Sequence, residues 1–104
     1  MRLPSLFLVF GWYVALVLTG CAISAPVQEM SNARQTIQAA KDVGAGEYAP
    51  ELLSIAEKLL DKAARKLEQG DYAVARDFAL EAQEQAMLAR QKAVDKSGNR
   101  PQND

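Results

Sequence analysis

The chain has 104 residues, enough for one domain at most, and its 12 basic and 13 acidic side chains leave a net charge of −1. Charge this mixed carries no electrostatic footprint for nucleic acid, and the basic residues are scattered rather than gathered into a polybasic block for lipid headgroups. Histidine is absent, which removes imidazole acid–base catalysis, Ser/His and Cys/His nucleophile pairs, and the common His-containing zinc sites.

Residues 1–20 have the layout of an export signal peptide. The amino terminus and Arg2 supply a short positive start, and an apolar run extends from Leu3 to Leu18. The run closes on Leu18-Thr19-Gly20-Cys21, an aliphatic residue and two small ones before the single cysteine of the chain. An uncleaved transmembrane helix is the competing reading. About 20 apolar residues are usually needed to cross the hydrocarbon core, and Pro4, Gly11 and the polar Thr19–Gly20 end shorten this run. Cys21 also has no second cysteine with which to form a disulfide in an oxidising compartment.

The Leu18–Cys21 segment resembles the lipobox of bacterial lipoproteins. That resemblance implies cleavage between Gly20 and Cys21, diacylglycerol on the Cys21 thiol, and acylation of the new amino terminus. It makes covalent lipid on Cys21 the membrane anchor. By the sorting rule of enteric lipoproteins, Ala22 after the cysteine points to the outer membrane, with the domain facing the periplasm.

Residues 21–28 read as the lipidated cysteine and a tether, with Pro26 discouraging helix. Residues 97–104 (SGNRPQND) read as a disordered tail. The helical domain is expected over residues 29–96. Beyond the leader only Tyr48, Tyr72 and Phe78 are aromatic, and alanine supplies much of the apolar content. The core should therefore be thin and closely packed.

A first helix is predicted from about Glu29 to Val43, where Met30, Ala33, Ile37 and Ala40 recur at intervals of three and four. Gly44-Ala45-Gly46 is expected to stop it. A second helix should start near Pro50, a good first-turn residue because its missing N–H had no intrahelical partner to lose. Leu52, Leu53, Ala56, Leu59, Leu60, Ala63 and Leu67 fall on one of its faces, with Asp61 and Arg65 at ion-pair spacing on the other. Gly70 and Asp71 form the next break, the glycine suited to a left-handed helix end and the aspartate to a cap. So short a connection makes the flanking helices an antiparallel hairpin.

The third helix is predicted to reach about Val94. Ala75, Ala79, Ala82, Ala86, Ala89 and Ala93 form a seam that lets another helix approach closely. Asp77, Glu81 and Glu84 lie early and Arg90, Lys92 and Lys96 late, which complements the helix dipole, with Arg76 as the exception. A second stripe, Ala73, Leu80, Met87 and Val94, repeats every seven residues. One seam should serve the second helix, leaving the other for the first helix, a second copy or a partner. The plainer expectation is that both are filled inside a three-helix bundle. Otherwise Leu80, Met87 and Val94 form the candidate interaction surface.

Catalytic and metal-binding readings of the remaining residues are weak. Glu81 and Glu84 have a spacing that could hold a metal in a four-helix bundle, but such sites add histidines. A solvated polar face explains these glutamates better, and helix-start charge preference explains Asp77 and Glu81. Gly44-x-Gly46 lacks the lysine and strand-to-helix setting of a phosphate loop. Neither an enzyme nor a metal site is expected, and no small-molecule substrate is implied.

Gly70-Asp71-Tyr72-x-x-Ala75, followed by Ala79 and Ala82, resembles the helix junction of a tetratricopeptide repeat. No second repeat follows, and at least three are normally needed for a stable solenoid. From Met30 to Val94 the chain also resembles an uncharacterised family of Ala-rich helical envelope lipoproteins. The residues that carry this resemblance are Ala33-x3-Ile37-x2-Ala40, Gly46-Glu47-Tyr48-Ala49-Pro50, Ala56-x2-Leu59 and Gly70-Asp71-Tyr72. Members of that family sometimes precede a peptidoglycan-binding OmpA-like domain. These 104 residues hold no such domain, and a peptidoglycan contact is not carried over.

The expected fold is all-α, a small antiparallel bundle of about three helices with a tetratricopeptide-like hairpin. The expected function is a non-enzymatic envelope lipoprotein with a structural or scaffolding role, its partner a second copy or an envelope protein. The alternative is an adaptor that binds a client peptide or helix in an alanine-lined groove.

Overall fold

The computed structural model describes residues 8–12 and 25–98, and all regular structure among them is helical. Residues 8–12 form a short helical stretch. The domain itself comprises α1 (Val27–Asp42), α2 (Ala45–Tyr48), α3 (Pro50–Glu68) and α4 (Tyr72–Gly98). The fold is all-α, and α1, α3 and α4 are the three helices expected from periodicity.

Helix α1 starts two residues earlier than its stripe suggested. Pro26 is the reason: it sits at the N-cap, accepts the Met30 N–H on its carbonyl at 3.1 Å, and is buried against the bundle. A residue read as part of the tether thus belongs to the folded domain. The carboxyl end is also extended, since α4 continues to Gly98, two residues into the predicted tail.

Interior layers set the helix directions. Met30, Ala63 and Ala79 meet in one layer, and Ala33, Leu59 and Ala82 in the next. Ile37 and Ala40 then join Leu53 and Ala56 of α3 and Ala86, Ala89 and Ala93 of α4. Numbers rise through the layers on α1 and α4 and fall on α3. Helix α1 is therefore parallel to α4, and α3 is antiparallel to both. Helix α4 is central, touching α1 and α3 more extensively than those two touch each other. Lys41 of α1 and Glu57 of α3 form an exposed ion pair at 3.0 Å across the outer edge.

Two glycines turn the chain. At the end of α3 the Gly70 N–H donates to the Leu67 carbonyl at 3.0 Å and the Asp71 N–H to the Lys66 carbonyl at 2.9 Å. These two bonds make a Schellman motif, which requires Gly70 to take its left-handed φ of +77°. The Asp71 carbonyl then accepts the Ala75 N–H at 2.9 Å and opens α4. Gly44 also turns the chain in a left-handed conformation, at φ +91°, with its N–H donating to the Lys41 carbonyl at 3.0 Å. Ala45 was expected to prolong that stop; instead it begins the single turn of α2, and Ala45 and Ala49 are buried at the far end of the bundle.

The two turns should respond differently to substitution. A Cβ at Gly70 would meet nothing within 4 Å, so Gly70→Val carries the cost of φ alone, roughly 1–2 kcal/mol. A Cβ at Gly44 would lie 3.2 Å from the Tyr48 ring, so Gly44→Val adds a contact that the ring must yield to. Urea midpoints should fall for both variants and further for Gly44→Val. Equal midpoints for wild type and Gly70→Val would show that the left-handed turn carries no conformational penalty.

Candidate functional site

The expected lipidation and cleavage positions, Gly20 and Cys21, lie outside the described residues. Pro26 is the first buried residue among the described ones, and four residues (22–25) separate it from Cys21. Extended chain reaches about 3.5 Å per residue, so the five steps from Cys21 to Pro26 span at most roughly 18 Å. The α1 start is shared with the start of α4, where Glu29 accepts from the Arg76 guanidinium at 3.3 Å. Arg76, the exception to the dipole ordering on α4, is thus explained by a tertiary partner. Glu29 also stands in the first turn of α1, where a negative charge is favoured.

At the opposite end, the Lys96 ammonium donates to the Tyr48 carbonyl at 3.1 Å and ties the last turns of α4 to α2. The Asp61–Arg65 pair expected from spacing is present on the exposed face of α3 at 3.7 Å. Lys62 lies 5.8 Å from the centre of the Phe78 ring, a cation–π contact across the hairpin.

The alanine seam of α4 is completely buried: Ala75, Ala79, Ala82, Ala86, Ala89 and Ala93 are each 0% exposed. It receives both α1 and α3, which corrects the expectation of one seam per neighbour. Methyl side chains are the physical reason. Three helices can converge on a layer such as Ala33–Leu59–Ala82 because two of its three members are alanine. A closed seam has no room for a client, so an alanine-lined groove is not open on this face.

The second stripe stays outside. Leu80, Met87 and Val94 are 48%, 56% and 43% exposed, and Ala73 is exposed as well. Met87, Arg90, Gln91 and Val94 of α4 line an open groove together with Gln35, Thr36 and Ala39 of α1. Small and polar side chains on the α1 side leave the α4 stripe accessible. Among the described residues every buried side chain is apolar or proline, and no group of three His, Cys, Asp or Glu side chains could hold a metal ion. Glu81, Glu84 and Asp77 are all exposed on α4. No described helix is long and apolar enough to cross a membrane.

Periodicity had missed Pro26, Ala45 and Ala49 as core residues. The Ala45/Ala49 spacing of four just before Pro50 was the available signal, masked by the flanking Gly44 and Gly46. No curated protein and no solved structure matches the chain. A family model does match, over residues 28–100, which takes in nearly all of α1 through α4: the chain belongs to the family of the domain of unknown function DUF4398.

Proposed function

We propose that this protein is a non-enzymatic lipoprotein of the bacterial cell envelope, held by lipid on Cys21 in the outer membrane and presenting its helical bundle to the periplasm. The observation that carries this reading is Leu18-Thr19-Gly20-Cys21 at the end of an apolar run, with Cys21 only five residues before Pro26, the buried N-cap of α1. A domain that starts so soon after the anchor stands against the membrane surface. Its role in this reading is structural or scaffolding, exercised through exposed faces of the bundle.

The apolar interior supports that role, with charge kept on the surface in pairs such as Lys41–Glu57 and Asp61–Arg65. Intact mass of the protein extracted from membranes tests the anchor. The expected species begins at Cys21 and carries acyl chains. A mass equal to that of the full precursor would favour an uncleaved transmembrane leader and overturn the lipoprotein reading. The adaptor alternative now depends on the groove between α1 and α4, since the alanine seam is closed. Crosslinking in intact cells followed by identification of the captured chain separates scaffold from adaptor.

A further inference from the structure

We infer that the Leu80–Met87–Val94 stripe is the contact face of a parallel, in-register dimer in which α4 of one copy packs against α4 of another. Three observations point to a second copy in this orientation rather than to an undefined partner.

The first is the spacing. Ala73, Leu80, Met87 and Val94 repeat every seven residues along one unbroken helix, and all four are exposed. A strict seven-residue repeat drifts by only about 20° per heptad on a straight helix, so a shallow left-handed crossing keeps such a stripe on a like helix. The α1 wall beside it does not block that approach, because Gln35, Thr36 and Ala39 leave the groove open.

The second is the charge pattern along the stripe. At 100° per residue, Arg76, Gln83 and Arg90 lie on one side, and Asp77, Glu84 and Gln91 on the other. A two-fold axis parallel to the helices brings opposite sides together. Arg76 then faces the second copy's Asp77, Gln83 faces its Glu84, and Arg90 faces its Gln91. An axis perpendicular to the helices brings like sides together, setting Arg76 against Arg90 and Glu84 against Glu84. Like-charge apposition disfavours the antiparallel arrangement and opposite charge favours the parallel one. Arg76 keeps its Glu29 contact at 3.3 Å, so it stands between two carboxylates rather than leaving one for the other.

The third is attachment, and this part rests on the lipoprotein reading. Two chains anchored in one membrane surface are related by an axis along the membrane normal. For bundles standing along that normal, the axis puts both Pro26 ends at the membrane, as the parallel dimer requires; only bundles lying flat on the surface would let an antiparallel pair keep both anchors there.

Cysteine crosslinking in native membranes tests the inference on the full chain. Met87→Cys and Leu80→Cys are made separately, and the two are also coexpressed with tags of different size. The parallel dimer predicts 87–87 and 80–80 disulfides on mild oxidation. It predicts no 80–87 product, since those positions are about 10 Å apart along the axis. Adding Asp77→Arg to Met87→Cys should reduce the linked product severalfold, and Leu80→Glu with Met87→Cys should abolish it. Circular dichroism of each variant checks that the bundle is intact, which exposure at these positions leads us to expect.

A dominant 80–87 product would overturn the inference in favour of an antiparallel pair. Absence of any linked dimer from folded variants would overturn it altogether. The parent chain, with Cys21 alone, controls for the anchor. A 21–21 disulfide, identified by peptide mass, would show a free thiol and sink the lipid anchor while leaving the 87–87 result to be judged separately.

Discussion

Cys21→Ser should abolish lipidation and deplete the protein from the outer-membrane fraction. The expected effect is large because a lipid anchor acts through many buried methylenes, each contributing about 0.8 kcal/mol, and a single chain alone binds only marginally. A triacylated cysteine is therefore a lasting attachment, and the serine hydroxyl offers no thiol to acylate. No described helix is long and apolar enough to cross a membrane. Membrane fractionation and intact mass measure the result. If Cys21→Ser were to partition as wild type does, with a mass differing only by the exchange of sulfur for oxygen, attachment would not depend on that cysteine.

Ala82→Leu should lower the stability of the bundle by about 1–3 kcal/mol through overpacking. Ala82 is 0% exposed and lies in the layer with Ala33 of α1 and Leu59 of α3. Extra carbons there push apart two helix contacts at once, because α4 is the helix both neighbours share. Ala73→Leu is the matched control: the same substitution on the same helix at an exposed position, measured at a concentration where the domain is monomeric, should stay within about 0.5 kcal/mol. Urea midpoints of the two variants decide the matter. Equal midpoints would mean that α1 is not seated on the seam as described.

The cost of Ala82→Leu also explains how a core with so few large side chains holds together. Among the described core residues, Met30, Ile37, Leu53 and Leu59 are the larger apolar side chains and most of the rest are alanine. Stabilisation then comes less from the area of any one side chain than from the close approach that methyl groups permit along the whole of α4. Close packing of this kind gains dispersion contacts over many atoms and is correspondingly intolerant of added volume.

Membership of a family defined by a domain of unknown function supplies no activity. The surface is therefore the place to look for one. Of the two long apolar features on α4, the seam is consumed by the fold and the stripe is left to whatever the protein meets. An anchor within roughly 18 Å of Pro26 would present that stripe beside a membrane, where lateral encounter with a second anchored copy is favoured over encounter in bulk solution.

Local chemistry was legible along the chain because it acts between residues close in sequence. The 3–4 spacing of Met30, Ala33, Ile37 and Ala40 specified α1 and its buried face without reference to any neighbour, and each of the four is buried. Pro50 at a helix start, Gly70 in a left-handed turn and the hairpin it forces follow from backbone sterics, which are equally local. Tertiary structure decided what those faces meet. Nothing in the spacing of α4 says that α1 and α3 converge on the same alanines, because periodicity gives a face its direction but not its occupant. Arg76 looked misplaced against the helix dipole until Glu29, 47 positions away, supplied the opposite charge. Pro26 read as tether because proline is a poor helix interior, yet packing against the bundle buried it. Folding brings such pairs together across distances that no local pattern spans, and so the exposure of Leu80, Met87 and Val94 was settled only when the third dimension placed α1 elsewhere.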